Sequence, residues 1–208
     1  MRESLGLIEV TGFSPTLVVV DVLDKAADVR VLQVELNDMY GACIKITGNA
    51  AAVKAAVEAA QAAADQMRVS CTSSVMPRPD EGAWPVIEAK KEFSPLLESD
   101  VVYFPNTQKQ ETRVSETNGP FAIGLIETQG LTAVLEAIDT ACKAGNVEVL
   151  GREKLGGGYV TVIIKGDVAA VKAAIEAGKS RVEGLGKLIA AHVIPRPSEG
   201  VLSLLPKS

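Results

Sequence analysis

The sequence predicts an α/β protein in which one small domain is written twice. Three observations lead there: an ungapped internal repeat, apolar stretches that switch between strand and helix periods, and an apolar share of 47%. The repeat comes first, because a fixed internal period decides how everything else is parsed. The stretches SVMPRPDEG (74–82) and HVIPRPSEG (192–200) set Arg78 and Arg196 118 residues apart. The same offset lays LGLIEVTG (5–12) on IGLIETQG (123–130). It also lays GNAAAVKAAVE (48–58) on GDVAAVKAAIE (166–176), with eight of eleven residues identical. The chain is a tandem duplication.

The elements follow in the same order in each copy. A short apolar strand (5–10; 123–127) leads into a helix. In the first copy Ser14-Pro15 is expected to supply the N-cap and a first-turn proline. In the second, Val134, Ile138 and Ala141 recur at helical spacing. A strand (29–35; 147–153), a loop and a further strand (42–47; 159–165) read as a hairpin. Asn49 and Asp167 then stand where an N-cap belongs, ahead of an Ala-rich helix. A final strand (68–75; 188–194) ends at the Pro-Arg-Pro turn. The order β-α-β-β-α-β predicts two tandem ferredoxin-like domains, each with helices on one face of an antiparallel sheet. The boundaries read as 1–90 for the first domain, 91–119 for a linker and 120–208 for the second. Within the connection, VVYFP (101–105) is apolar enough to dock on a domain, and the polar run 106–118 reads as exposed.

Composition narrows the function. The 208 residues suffice for two small domains, each with a buried core. A net charge of −5 argues against a general affinity for nucleic acid or anionic membrane. Aromatics at 4% provide no row of stacking platforms. The opening MRESLGLIEV has neither the apolar core nor the cleavage site of a signal peptide. Lys54 and Glu58 interrupt the Ala-rich stretch, so no membrane span is expected. Cys43, Cys71 and Cys142 are odd in number and form no CxxC pair, and His192 is the one histidine, so neither a zinc site nor any other metal site is expected. All three thiols read as buried small hydrophobes. Glu9 and Glu127 match across the copies without a nucleophile nearby, which favours structural hydrogen bonding. KLGGGY (154–159) invites a phosphate-binding reading, but a strand follows it and no Gly-Lys-Ser/Thr is present, so the P-loop is rejected.

The fragments AIGLIET, AIDTACKAGNVEV, KLGGGYVTVIIKGDVAAVKAAIEAG and HVIPRP together resemble the shell proteins of bacterial microcompartments. The likeness is dense over 121–206. It is looser over 5–82, where GLIE, DKAADV, GNAAAVKAA and PRP carry it. Two such domains in one chain imply the tandem type, which forms trimers that imitate a hexagon and packs edge to edge in a facet. The resemblance implies a structural protein and not an enzyme, with no cofactor. Its partners would be itself as a homotrimer, other shell proteins, and metabolites crossing a central pore. It would lie in a microcompartment shell in the cytoplasm and touch neither nucleic acid nor membrane. Lys143 and Asn146 match the family's edge lysine and asparagine, and Arg196 matches the arginine of its edge turn. The first copy keeps Lys25 and Arg78 but has Asp28 in place of the asparagine. The loops implied at the pore are Asn37, Asp38 and Met39 in the first copy and Leu155, Gly156, Gly157 and Gly158 in the second. Some tandem shell proteins hold an iron–sulfur cluster at the pore, but neither loop here contains cysteine. An ordinary helix-surface pair between Lys143 and Asp139, worth ~0.2–0.5 kcal/mol, is the plainer reading of that lysine. A trimeric small-molecule-binding regulator or an enzyme on the same fold is the alternative function, since fold alone does not fix function.

Overall fold

The computed structural model describes residues 3–37, 41–80, 83–88, 93–94, 99–100, 102–103 and 121–206. The chain forms two compact units, Met1–Pro105 and Asn106–Ser208. The first unit contains β1 (Ser4–Val10), α1 (Phe13–Ala26), β2 (Val29–Asn37), β3 (Gly41–Gly48), α2 (Ala50–Met67) and β4 (Cys71–Met76). The one-turn α3 (Trp84–Ile87) and the short strands β5 (Phe93–Ser94), β6 (Ser99–Asp100) and β7 (Val102–Tyr103) complete it. The second unit contains β8 (Ala122–Gln129), α4 (Leu131–Ala144), β9 (Glu148–Gly156), β10 (Tyr159–Gly166), α5 (Val168–Ser180), β11 (Lys187–Pro195) and α6 (Glu199–Ser203).

Both sheets have the same antiparallel order, β4-β1-β3-β2 and β11-β8-β10-β9, which is the ferredoxin-like arrangement. In the first unit β7 adds a fifth strand through Val34↔Tyr103 and Glu35↔Val102, so part of the VVYFP stretch docks on the sheet edge. The register explains the apolar pattern. On β10, Val160, Val162 and Ile164 face the helices and join Val134, Ala137, Val171 and Ile175 in one core. Ile163 lies between them in sequence, so its side chain leaves by the opposite face. The α-helical layer approaches very closely at one point. A Cβ on Gly124 would lie 2.8 Å from both Ile175 Cδ1 and Val171 Cγ1. In the first copy a Cβ on Gly6 would lie 2.7 Å from Ile46 Cγ1 and 3.0 Å from Val53 Cγ1. The duplicated glycine is therefore a packing requirement.

The second helix of each copy starts as predicted. Asn49 Oδ1 accepts from the Ala52 N–H at 2.8 Å, and Asp167 Oδ1 accepts from those of Ala169 and Ala170 at 2.9 Å. Such caps contribute about 1 kcal/mol each. The first helix does not start as predicted. Gly12, at φ 91°, is the N-cap of α1, and Ser14 sits buried at the second helical position, within the first turn. The Thr16 hydroxyl instead donates to the Gly12 carbonyl at 2.6 Å. Pro15 remains in the first turn, where its missing N–H costs no helix bond. The last strand of the first copy also begins later than the sequence suggests, at Cys71. Arg68 adopts φ 58° and closes α2, with the Val69 N–H reaching back to Ala64 O at 3.1 Å.

Helices on one face describe only part of the architecture. After each Pro-Arg-Pro turn the chain doubles back over the other face of its sheet. In the second unit Ser198 Oγ caps α6 by accepting from the Val201 N–H at 3.3 Å. Val201 and Leu204 are buried, and Pro206 packs against Gly151, which shares its face with Ile163 and Leu125. In the first unit the Ile87 carbonyl at the end of α3 accepts from Lys45 Nζ at 2.9 Å and Gln33 Nε2 at 3.2 Å. Lys45 also pairs with Glu35 Oε2 at 2.8 Å. In the first copy these polar contacts accompany the buried Trp84 of α3, whereas the second copy uses mainly apolar contacts. Each Pro-Arg-Pro turn is thus the reversal that turns one sheet face into a second buried layer.

Replacing Gly124 by Ala forces a methyl group among three buried side chains. Gly124→Ala is expected to lower unfolding stability by about 1–3 kcal/mol without changing the fold, measured as a reduced urea midpoint at unchanged slope.

Candidate functional site: two sheet ends

Antiparallel register sorts the residues of interest onto two ends of each sheet. In the second unit Pro195, Ala122 and Gly166 lie in one row, and Lys165 pairs with Glu148 one step away. The Arg196 turn and Asn146 therefore share one sheet end, on opposite flanks. The hairpin 154–159 closes the other end, because Gln129 pairs with Tyr159. The Ile123 and Gln129 rows lie six residue steps apart along β8, a rise of roughly 20 Å. In the first unit the same logic puts Arg78 and Asp28 at one end and the Asn37↔Gly41 pair at the other.

The hairpin of the second copy is built from backbone. Tyr159 pairs with Gly156 across Gly157 and Gly158, whose φ values of 57° and 82° fit a type I′ turn. The Gly157 carbonyl accepts from Gln129 Nε2 at 3.2 Å, and the Gly158 carbonyl accepts from the Gly130 N–H at 2.9 Å. Both carbonyls are thereby tied to the β8–α4 junction. Leu155 is buried, so between the exposed Lys154 and the half-buried Tyr159 this loop presents Gly156, Gly157 and Gly158. In the first copy Asn37 ends β2 opposite Gly41. Asp38 and Met39 lie outside the described residues. A Cβ on Gly41 would fall 1.9 Å from Val10 O at φ +127°, so the return strand begins where only glycine fits.

The other end carries the charged candidates. Lys25 and Lys143 sit in the last turns of α1 and α4, where a cation meets the negative end of the helix dipole. Lys25 is held 2.7 Å from Asp21 Oδ2, with side-chain exposures of 46% and 11%. The Lys143–Asp139 pair is far more exposed, at 74% and 58%. A solvated i,i+4 pair contributes only about 0.3–0.5 kcal/mol, so Lys143 can exchange partners at little cost. Asp28 and Asn146 are both exposed at equivalent junctions. A Cβ on Gly48 would meet Asp28 O at 3.2 Å, and one on Gly166 would meet Asn146 O at 3.1 Å.

The two arginines are exposed, but their backbones differ. Arg196 adopts φ 52°, while Arg78 is not among the positive-φ residues. Flanking prolines fix their own φ, not that of the arginine between them. The left-handed conformation costs about 1–2 kcal/mol for a residue with a Cβ. A hydrogen bond from the Arg196 N–H to Phe121 O at 2.9 Å holds it. In the first copy the tie is different: Ser4 Oγ donates to Pro77 O at 2.8 Å. Equal sequence in the two turns hides unequal geometry.

The remaining candidates are scattered. Burial on β3 pushes the Cys43 thiol up to about 11, and burial also raises Cys71. The expectation that all three thiols are buried is corrected: Cys43 and Cys71 are only half-buried, and Cys142 is exposed on the outer side of α4, where Ala141 takes the inward position. Half-burial on β11 lowers the pKa of His192, favouring its neutral form in the folded chain. Glu127 is fully buried. Lys165, also buried, lies with its Nζ 4.6 Å above the centre of the Phe121 ring. Two exposed leucines, Leu131 and Leu135, share a face of α4, whereas their counterparts Phe13 and Leu17 are buried. Among the described residues no group of three or more His, Cys, Asp or Glu is placed to hold a metal ion. No helix among them is long and apolar enough to cross a membrane.

Comparison with known proteins agrees with the duplication. A family model described as the BMC domain matches residues 4–79 and again 122–197. Bacterial microcompartment shell protein PduA of Citrobacter freundii is 52% identical over 86 residues, 41% of this chain and 92% of that protein. Carboxysome assembly protein CcmO of Synechococcus elongatus is 33% identical over 204 residues, 98% of this chain and 69% of that protein. Bacterial microcompartment shell protein EutM of Escherichia coli is 45% identical over 85 residues, 41% of this chain and 88% of that protein.

The thiols supply a check on the local geometry. At pH 7.5 a thiol-reactive probe is expected to modify Cys142 first and leave Cys43 intact until the protein is unfolded, because the thiolate is the reactive form. Peptide mapping of the labelled protein reads the order directly.

Proposed function

The chain belongs to the BMC-domain family, with two copies of the domain in tandem, and on that premise we propose that it is a structural tile of a bacterial microcompartment shell. The domains are taken as 1–90 and 120–208, joined by 91–119. Three chains would close a ring of six domains, a homotrimer of pseudohexagonal outline. The tile would lie in the cytoplasm as part of the shell and pack laterally against copies of itself and other shell proteins. It would carry out no catalysis and need no cofactor.

One observation carries this reading: the hairpin loops and the charged turns occupy opposite ends of each sheet, about 20 Å apart. A tile needs this separation, since one end must converge on an axis while the other meets neighbours at the perimeter. On this reading the Asn37, Asp38 and Met39 loops alternate with the Leu155, Gly156, Gly157 and Gly158 loops around a central pore. The buried Leu155 would support the glycine loop from below, leaving Gly156–Gly158 as the surface that solutes meet. With the Gly157 and Gly158 carbonyls engaged elsewhere, the loop offers amide N–H groups beside Lys154, a chemistry suited to anionic or polar metabolites. Passage would be passive and set by width and polarity. Lys25, Asp28, Arg78, Lys143, Asn146 and Arg196 would make the contacts between tiles. The exposed Leu131 and Leu135 add support, because an apolar pair on one helix face favours a subunit contact.

Light scattering coupled to size exclusion should give three times the 21.8 kDa chain mass; a monodisperse monomer or dimer would sink the tile reading. Lys143→Ala combined with Arg196→Ala should abolish extended sheets in electron micrographs while the trimer and its melting temperature stay nearly unchanged. Disassembly of the trimer would instead assign these residues to the ring interface. For the pore, Met39→Gly should raise solute flux through reconstituted shells, and unchanged flux would count against the loop assignment.

A further inference from the structure

We propose that, in a sheet made of this chain alone, every contact joins the edge of a first copy to the edge of a second copy, and that charge selects the pair. This rests on the tile reading above and names the partner of its edge residues. Symmetry gives the first half of the argument. In a ring of three chains the two copies alternate, so opposite sides of the six-sided outline always belong to different copies. Tiles laid down in one orientation therefore meet first copy to second at every contact. Like-to-like contacts require neighbours turned by half a repeat, and three mutually adjacent tiles cannot all differ in a two-state orientation.

The chemistry of the edges gives the second half. At positions 21, 24, 25 and 28 the first copy has Asp, Asp, Lys and Asp. The equivalent positions 139, 142, 143 and 146 have Asp, Cys, Lys and Asn. With the turn arginines Arg78 and Arg196 included, the first edge has a formal charge of −1 and the second +1, while the next exposed pair along the strands, Arg30 and Glu148, has the reverse signs. The cations are also presented differently. Lys25 is tethered to a largely buried carboxylate, whereas Lys143 and its partner stand in solvent. Arg196 is aimed by a left-handed backbone that Arg78 does not share. The first edge thus presents the exposed carboxylate of Asp28, and the second presents Lys143 and Arg196 as mobile or pre-aimed cations. Asp28 follows the C-terminal end of α1, where the helix dipole disfavours an acid. A residue that breaks a local preference on a solvated surface calls for a compensating partner, and the second copy's edge of a neighbouring tile has the complementary charge.

Charge swaps distinguish this pairing from like-to-like contact. Under the proposal Asp28→Lys places cations on both sides of every contact, and Lys143→Glu places anions there. Each single variant should remain a trimer by light scattering and should raise the critical concentration for sheet formation by about tenfold or more. The double variant Asp28→Lys with Lys143→Glu restores opposite charges at every contact and should recover sheets to near the wild-type threshold. The milder Asp28→Asn, which copies Asn146 and leaves the fold undisturbed, should raise the threshold a few-fold. If either single variant, or Asp28→Asn, assembles like wild type, or if the double variant fails to recover, charge-selected pairing is overturned. A wild-type chain that is not a trimer overturns the tile reading itself, which separates the two failures.

Discussion

Antiparallel pairing of the two central strands in each copy, β1 with β3 and β8 with β10, is the constraint from which the rest of the molecule follows. Those strands are covered on both faces, so their registers admit no slip: a shift of one residue would exchange the two buried layers. The flanking strands inherit that register, and with it every loop acquires a definite end of the sheet. The 154–159 hairpin and the Arg196 turn are therefore held about 20 Å apart, each tied to an opposite end of β8. Gly6 and Gly124 belong to the same constraint, because the second helix can seal the strands only where no Cβ intervenes.

A second layer gives the Pro-Arg-Pro turns a structural purpose before any functional one. Each turn reverses the chain, and the residues after it cover the sheet face that the two long helices leave open. In the second copy Val201, Leu204 and Pro206 do so with apolar atoms. In the first, the Ile87 carbonyl accepts from Lys45 Nζ and Gln33 Nε2, and Glu35 neutralises the buried lysine. A paired and hydrogen-bonded ammonium tolerates such burial, whereas removing either partner would leave a charge stranded. The same turns put Arg78 and Arg196 on the surface, so structure and proposed edge contact share one segment.

Duplication followed by divergence explains where the copies agree and where they differ. Core positions match because both copies solve the same packing problem: Val53 and Val171 meet equivalent glycines. Surface positions are under no such restraint, and there Asp28 aligns with Asn146, Asp24 with Cys142, and the residues Asp38, Met39 and Tyr40 with three glycines. On the proposed tile reading, these differences would give the two copies unlike edges and let a tile specify its orientation in a sheet, which a ring of six identical domains cannot do.

By itself the sequence determined the duplication, the order of elements, the caps at Asn49 and Asp167, and the family. These depend on local periodicity and on matches along the chain, both of which are readable without a fold. Ser14 looks like the N-cap of α1 but is not, because Gly12 reaches a conformation that no side-chain pattern announces. The short helices α3 and α6 are not legible in the sequence, although Ser198, a good N-cap residue, marks the start of one of them; a single turn is too short to show a period. Cys142 and Ala141 differ in exposure by one helical step, and only the packed helix decides which faces in. The tertiary structure alone decided that Arg196 is left-handed while Arg78 is not, since a hydrogen bond to Phe121 from a distant part of the chain sets that backbone. Long-range contacts choose among conformations that identical local sequences leave equally open.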